Sequence, residues 1–565
     1  MIKIIEPGIR PLFTRNVVIS PKAPHVLKIH IQIKAVMKLF STGQIAAIDR
    51  YTIEKEPVSD LDLMERAAEE MYYYLNAVLP WKQKLHFFAG TGNNGGDALV
   101  IARKFSEADY PCTVYLPDTG RSLSSSCSTN LERLRTLGKA EIRPIVPEAG
   151  FPALDPAIPV IEGLFGAGLT RPLSGFPAAL VRHINQSGAP VYSIDLPAGL
   201  MGEDNGSNNP ENIIKARETL TLQFPKISLL FPENEVYAGH VELIDIGLHP
   251  EALAITETPF RIADLLEIKA LFPPRKKFTH KGTYGHALLV AGSYGMTGAA
   301  VLASRACHRS GTGLVTTHIP GSGYPILQIS TPETMCSVDP HEHHFSKVPQ
   351  LAKYSAIGIG PGLGTHPETR GALLQLLEEA KVPLVLDADA LNMLAQETNG
   401  WQKIPPGTIL TPHPGEFSRL FGDEAFPSSL NQPEQSTIPP SSFTGRPNSW
   451  LRLEKQRHLS QTLGVVIVLK GANTLVTLPD GNAVFNPTGN PGMATGGSGD
   501  VLTGIITGLL AQGFTPAHAA ISGVYLHGLA GDLAARKITQ PALIASDIVD
   551  SLGRAFREIF DFRQP

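Results

Sequence analysis

Residues 489–505 read GNPGMATGGSGDVLTGI, six glycines in seventeen positions with one carboxylate, Asp500, where an apolar run begins. Glycines let backbone N–H groups approach an anion closely, and a helix starting near Gly499 adds the positive end of its dipole. Such an array stabilises negative charge that develops during a reaction. A carboxylate at that terminus can take a proton from a hydroxyl attacking a phosphoryl group. The chemistry indicated is phosphoryl transfer, with Asp500 activating the acceptor. The plainer alternative is a helix cap, since Gly-rich turns followed by Asp are common. Five further segments, VAGSYGMTGAA, GIGPGLG, DADALN, TPHPGEF and VLKGANT, fall at the ends of strand-like runs and favour a site.

A second glycine loop lies far upstream. AGTGNNGGD at 89–97 satisfies GxGxxG, which alone is weak, but its Asn-Asn-Gly-Gly-Asp run suits ribose and phosphate oxygens. EGLFGAGLTRPLSG at 162–175 adds another glycine loop with Arg171, and SIDLPAGL at 193–200 sets Asp195 at a strand end. Asp195 as a mere turn cap is the alternative there.

These residues need elements to hold them. LMERAAEEMYYYL puts Met64, Ala67, Ala68, Met71, Tyr72 and Leu75 on one helical face. LHFFAG then reads as a buried strand, GTGNNGGD as a loop with the helix beginning at Asp97, and ALVIARKF as that helix. Further strands are expected at IPVIEG and APVYSIDLP, and in the second half at HALLVAGS, YSAIGIG, VPLVLDAD, GTILTPHP, GVVIVLKG and TLVTL, the last followed by an Asp480-Gly481 hairpin turn. Strands alternating with helices predict parallel sheets with ligands at the strands' carboxyl ends.

The chain of 565 residues is too long for one ordinary core, and a connection near residue 258 divides it into two α/β domains, 37–257 and 258–565. Residues 1–36 form a basic extension, read as preceding a start at Met37 in preference to a transit-like tail, and 422–450, rich in Pro and Ser, read as a mobile insertion loop. The composition, 42% apolar and 18% charged with formal net charge −4, gives no basic excess to suggest nucleic acid. No apolar run reaches the roughly 18 residues of a membrane span. Four scattered cysteines form neither a disulfide framework nor a zinc knuckle, which fits the cytoplasm. The HEHH run at His341 to His344 reads as a solvated surface in preference to a metal site.

With these motifs in place, residues 258–565 resemble the ribokinase-like NAD(P)HX dehydratase family, in which a nucleotide phosphorylates the hydroxyl of hydrated NADH or NADPH and loss of phosphate restores the cofactor. The resemblance implies Asp500 as catalytic base and Gly499 as part of the anion hole. It implies Lys470, Gly471, Ala472, Asn473 and Thr474 on the nucleotide with Mg2+, and Ala299, Gly362 and His413 on the hydrate. His413 as a turn former and Lys470 as a solvated charge are the alternatives. The fused architecture leans towards ADP as donor. Asp387 and Asp389 read either as paired carboxylates on magnesium or as a helix cap, and stay outside the catalytic set.

Residues 37 to about 250 resemble the NAD(P)HX epimerase family, with a Rossmann-like three-layer sandwich. That resemblance implies hydrate binding by Asn93, Asn94, Gly95, Gly96 and Asp97, and by Gly166, Ala167, Gly168, Leu169, Thr170 and Arg171. Asp195 would contact the reacting ring, and Lys226 of LQFPK is a weaker candidate. Members coordinate potassium through Asn94, an aspartate where this chain has Glu162 and a serine where it has Ala198, so these three are the implied ligands here. Ala167 stands where threonine or serine is usual. The whole is expected to be a homo-oligomeric bifunctional enzyme acting on NADHX, NADPHX and ADP. Competing readings are a small-molecule kinase with another acceptor, and a first domain that is a non-catalytic scaffold.

Overall fold

The computed structural model describes residues 37–146, 150–422 and 448–561. The extension 1–36 and most of the expected insertion loop at 422–450 lie outside the described residues, and a helix is already under way at Ser449. Chain contacts separate two compact units, changing over between Thr258 and Pro259, with residues 448–452 grouped with the first.

In the first unit seven strands form one parallel sheet: β1 Leu85–Ala89, β2 Cys112–Pro117, β3 Glu141–Ile145, β4 Val160–Gly163, β5 Val191–Ile194, β6 Glu218–Leu222 and β7 His240–Ile244. Their order is β3-β2-β1-β4-β5-β6-β7. The chain therefore reverses direction across the sheet between β1 and β4, which opens a crevice at the carboxyl ends of those strands. The central strands β1, β4 and β5 are buried on both faces, which explains their nearly unbroken apolar sequences. Helices Asp60–Val78 and Asn93–Glu107 cover one face, and Gly175–Gln186 covers the other.

The NNGGD run is not loop. The helix after β1 begins at Asn93, four residues earlier than the sequence suggests, so Asn93 to Asp97 occupy its opening turns. Glycine there serves close packing. A Cβ on Gly95 would sit on the Gly90 carbonyl oxygen, and one on Gly96 would meet the Met64 sulfur at 2.6 Å.

The second unit contains β8 Phe260–Ile262, β9 His286–Val290, β10 Leu314–Ile319, β11 Met335–Val338, β12 Ala356–Ile359, β13 Leu384–Leu386, β14 Ile409–Leu410, β15 Val466–Leu469, β16 Leu475–Thr477 and β17 Ala483–Phe485. Their order is β8-β17-β16-β15-β14-β13-β12-β9-β10-β11, parallel from β15 through β11. The Asp480-Gly481 turn joins β16 to β17 as an antiparallel hairpin. Here the reversal falls between β9 and β12. Helices Thr297–Arg309, Ser498–Ala511, Pro516–Ile538 and Ala545–Asp561 pack on one face, and Pro367–Glu379, Asp389–Ala395 and Pro414–Phe421 on the other.

Strands β2, β3, β6, β10 and β11 carry no clean apolar run. In β10 the buried Thr317 and His318 are tolerated because Ser304 and Asp339 satisfy them, at 2.7 and 2.9 Å. All four cysteines are free. No helix among the described residues is long and apolar enough to cross a membrane.

The glycine packing is testable by denaturant unfolding. Gly95→Ala should cost about 1–3 kcal/mol or more, because the Gly90 backbone cannot move aside. Gly168→Ala, whose Cβ would point into open space, should cost no more than about 0.5 kcal/mol.

Candidate active sites

The first crevice is built on a buried ion pair. The Lys226 ammonium, 2% exposed, donates to Asp195 Oδ1, to Thr221 Oγ1 at 3.2 Å and to the Leu222 carbonyl at 3.1 Å. Three acceptors satisfy its three N–H groups, so the charge is held in place without water. Asp195 follows β5 with φ at +65°, a left-handed conformation uncommon for a residue with a side chain. Its N–H donates to the Leu220 carbonyl at 2.8 Å, and its Oδ2 accepts the Ala167 N–H at 3.0 Å. Gly166 lies between Asn94 and Asp195, where a Cβ would come within 3.0 and 3.1 Å of their side-chain oxygens. Gly168, Thr170 and Arg171 are exposed at the crevice mouth, with Leu169 half-buried, and Asn93 is exposed at the helix start opposite. The structure thus brings Asn94, the Gly166 loop and Asp195 together. It makes Lys226, the weaker candidate on sequence, a full partner of Asp195, and it buries the expected Asp97. Burial, with Asp195, Asp60 and Asp49 adding to it, holds the Asp97 carboxyl well above the usual range.

Glu162 closes the floor of this crevice and is fully buried. Its Oε1 accepts the Leu164 N–H at 2.7 Å, and its Oε2 accepts the Ser193 hydroxyl at 2.9 Å and the Ala198 N–H at 3.1 Å. The Phe165 N–H also acts on it. Burial pushes its pKa up to about 7 against those donors. The Ala198 carbonyl accepts the Ile214 N–H at 2.9 Å, and the Asn94 amide nitrogen donates to the Ile194 carbonyl at 3.1 Å. A potassium ion needs oxygen lone pairs turned towards it. Glu162 and Ala198 present theirs to N–H and O–H donors instead, so this donor set does not fit the ion that the resemblance implies.

In the second crevice Asp500 is not the helix cap. Gly497, at φ +90°, occupies that position, no side chain caps the helix, and Asp500 sits in its first turn. The uncapped N–H groups around Gly499 form a ready anion site. No hydrogen-bond donor among the described residues reaches the Asp500 carboxylate. Burial raises its pKa to about 7, with Asp387 and Asp389 adding to the rise and Lys470 opposing it.

Lys470 lies 2.8 Å from Asp387 Oδ1 and 3.6 Å from Glu416 Oε2. Burial alone would lower its pKa, but these two carboxylates outweigh it and keep the ammonium charged. A Cβ on Gly499 would stand 3.5 Å from the Lys470 nitrogen, so the lysine faces the helix terminus. Gly471 to Thr474 form the turn that follows, closed by the Thr474 hydroxyl on the Gly471 carbonyl at 3.0 Å. Gly362, at φ +61°, and Ala299 meet at the β9/β12 reversal, where a Cβ on the glycine would lie 2.9 Å from the alanine Cβ. His413 caps the helix Pro414–Phe421, its Nδ1 accepting the Gly415 and Glu416 N–H groups at 3.0 and 3.4 Å.

Asp387 and Asp389, left outside the catalytic set on sequence, prove central to the geometry. Asp387 accepts from Lys470 and, at 2.7 Å, from the Thr503 hydroxyl. Asp389 Oδ2 accepts the Gly364 N–H at 2.8 Å, and Ala388 between them is bent to φ +46°. DADALN at a strand end was the available signal. Half-buried His527, whose pKa desolvation lowers to about 4, stays neutral near the helix start, 3.4 Å from the Ser498 hydroxyl. The sequence carried no sign of that role. His341, His344 and Glu368 come together at the HEHH run, but His341 Nδ1 already accepts the His343 and His344 N–H groups at 3.1 and 3.3 Å.

A family described as NAD(P)H-hydrate dehydratase matches residues 287–554, and one described as YjeF-related protein N-terminus matches residues 60–228. The bifunctional NAD(P)H-hydrate repair enzyme Nnr of Moorella thermoacetica is 34% identical over 93% of this chain and 97% of its own. The chain belongs to this repair family. The enzyme of the same name from Coxiella burnetii is 34% identical over 91% of this chain and 98% of its own. Among solved structures, an ADP/ATP-dependent NAD(P)H-hydrate dehydratase from Bacillus subtilis, co-crystallised with ATP and Mg2+, covers 53% of this chain and 98% of its own, with 34% identity and a TM-score of 0.44. As a member of this family the chain is a bifunctional repair enzyme.

The raised Asp500 pKa has a consequence for stability. The native state prefers the protonated carboxyl, so this group supports the fold most below about pH 4 and loses that contribution as pH rises towards about 7. Asp500→Asn should therefore melt higher than the parent at pH 8 and close to it at pH 4. A variant that melts lower at pH 8 would show that the ionised carboxylate has stabilising partners.

Proposed function

We propose that the first unit, corresponding to a domain at 37–257, interconverts the R and S hydrates of NADH and NADPH. The second, at 258–565, dehydrates the S form while converting ADP to AMP and phosphate. The observation that carries this reading is Asp500, an unpaired carboxylate with a pKa near neutrality at an uncapped helix N-terminus, facing Lys470 across Gly499.

In the second crevice the β-phosphate of ADP lies against the N–H groups around Gly499, with Lys470 as its cationic partner and the turn Gly471 to Thr474 beside the rest of the nucleotide. Ala299, Gly362 and His413 bound the space for the hydrate. Asp500 accepts the hydroxyl proton as the hydroxyl oxygen bonds to the phosphorus and AMP leaves. The C–O bond then breaks with loss of phosphate, the ring regains its double bond, and the proton that the ring gives up balances the step. Mg2+ neutralises phosphate charge when bound. The Asp387 and Asp389 oxygens are engaged by Lys470, Thr503 and Gly364, so a bound ion would be carried chiefly by the nucleotide.

In the first crevice Asn93 to Asp97 and Gly166 to Arg171 enclose the hydrate, and Asp195 faces the reacting ring. Inversion requires the hydroxyl to leave and return, or the ring to open and close, and a carboxylate that trades a proton serves both routes. Lys226 keeps Asp195 oriented.

The test is recovery of NADH absorbance from mixed R and S hydrates with excess Mg2+, using ADP or ATP in parallel. Complete recovery, faster with ADP, is the expected result. Recovery that stops at the S fraction would show a silent first unit. No recovery with either nucleotide would move the small-molecule kinase reading to the front.

A further inference from the structure

We infer that Glu162 takes the place of a monovalent cation in the first unit, its carboxylate gathering the loops that bind and turn over the hydrate. The inference rests on the epimerase reading only for its kinetic consequence. A carboxylate offers about four lone-pair directions. At Glu162 three donors take up most of them: the N–H groups of Leu164 and Ala198 and the Ser193 hydroxyl.

These donors come from the places a bridging ion would have to join. Leu164 and Phe165 open the loop that carries Gly166 to Arg171, Ser193 stands on β5 two residues before Asp195, and Ala198 lies in the turn three residues after it. One buried side chain thus fixes the separation between the Ala167 N–H and the Asp195 carboxylate, which meet at 3.0 Å. A cation draws oxygen lone pairs to a centre, whereas an anion draws N–H groups. Both the Leu164 loop and the Ala198 turn point N–H groups inwards, and alanine at 198 supplies no hydroxyl that could compete. The polarity of the junction is that of an anion.

Glu162 acts as a positioning residue, and the first unit works without potassium. The experiment uses the full-length chain exchanged into choline chloride, then titrated with potassium chloride at constant ionic strength. Melting temperature is followed alongside kcat and KM for epimerisation. Neither the melting temperature nor either kinetic constant should change beyond the choline control. Glu162→Gln replaces two acceptor directions with N–H donors facing N–H groups. Its kcat should fall about 10-fold or more, with KM changed less, and potassium should not restore it.

A potassium-specific rise in the parent's melting temperature or kcat would overturn the inference, as would Glu162→Gln turning over at the parent rate. Absence of epimerisation together with melting indifferent to potassium would refute the activity reading while leaving this inference in place.

Discussion

Lys470 and Asp387 meet at 2.8 Å, and the buried Asp387 carboxylate depends on that ammonium for its charge partner. Asp387 follows β13, Lys470 follows β15, and the remaining Asp387 oxygen takes the Thr503 hydroxyl from the second turn of helix Ser498–Ala511. One carboxylate therefore ties two strand ends to the helix whose N-terminus would receive phosphate. Burial raises the pKa of Asp500, and the negative charge of Asp387 adds to that rise while Lys470 opposes it. A base poised near neutrality can both accept a proton during attack and release it afterwards.

The first unit repeats the physics with other parts. Lys226 and Asp195 form a buried pair at a strand end, and the lysine is completed by a hydroxyl and a carbonyl. Glu162 below them is a buried carboxylate without a cationic partner, held by donors alone. Both crevices lie where strand order reverses in a parallel sheet. That reversal gathers segments distant in sequence, such as Asn94 and Gly166, or Gly362 and Ala299.

The doubly wound architecture was legible because buried parallel strands write apolar runs and their loops carry glycine. Strands β10 and β6 hid because buried threonines and a histidine, each satisfied by a specific partner, break the apolar signal. The helix start at Asn93 hid because glycine in a first turn, placed there to admit the Gly90 carbonyl, looks like loop. Asp500 and Lys470 could be named from spacing, and their surroundings could not. No sequence pattern says that Asp387 spends both oxygens on Lys470 and Thr503. Nor does any say that the Glu162 carboxylate accepts the Leu164 and Ala198 N–H groups and the Ser193 hydroxyl.

The central claim is that Asp500 is a base whose pKa is set by burial beside Asp387. Its most direct test is the pH dependence of kcat/KM for dehydration in the parent and in Asp387→Asn. The account predicts a single acidic limb near pH 7 in the parent, since activity needs the ionised carboxylate, and a limb displaced to lower pH in the variant, where a charge opposing that ionisation is gone. A limb that stays in place in Asp387→Asn, or a parent rate flat from pH 5 to 8, would contradict it.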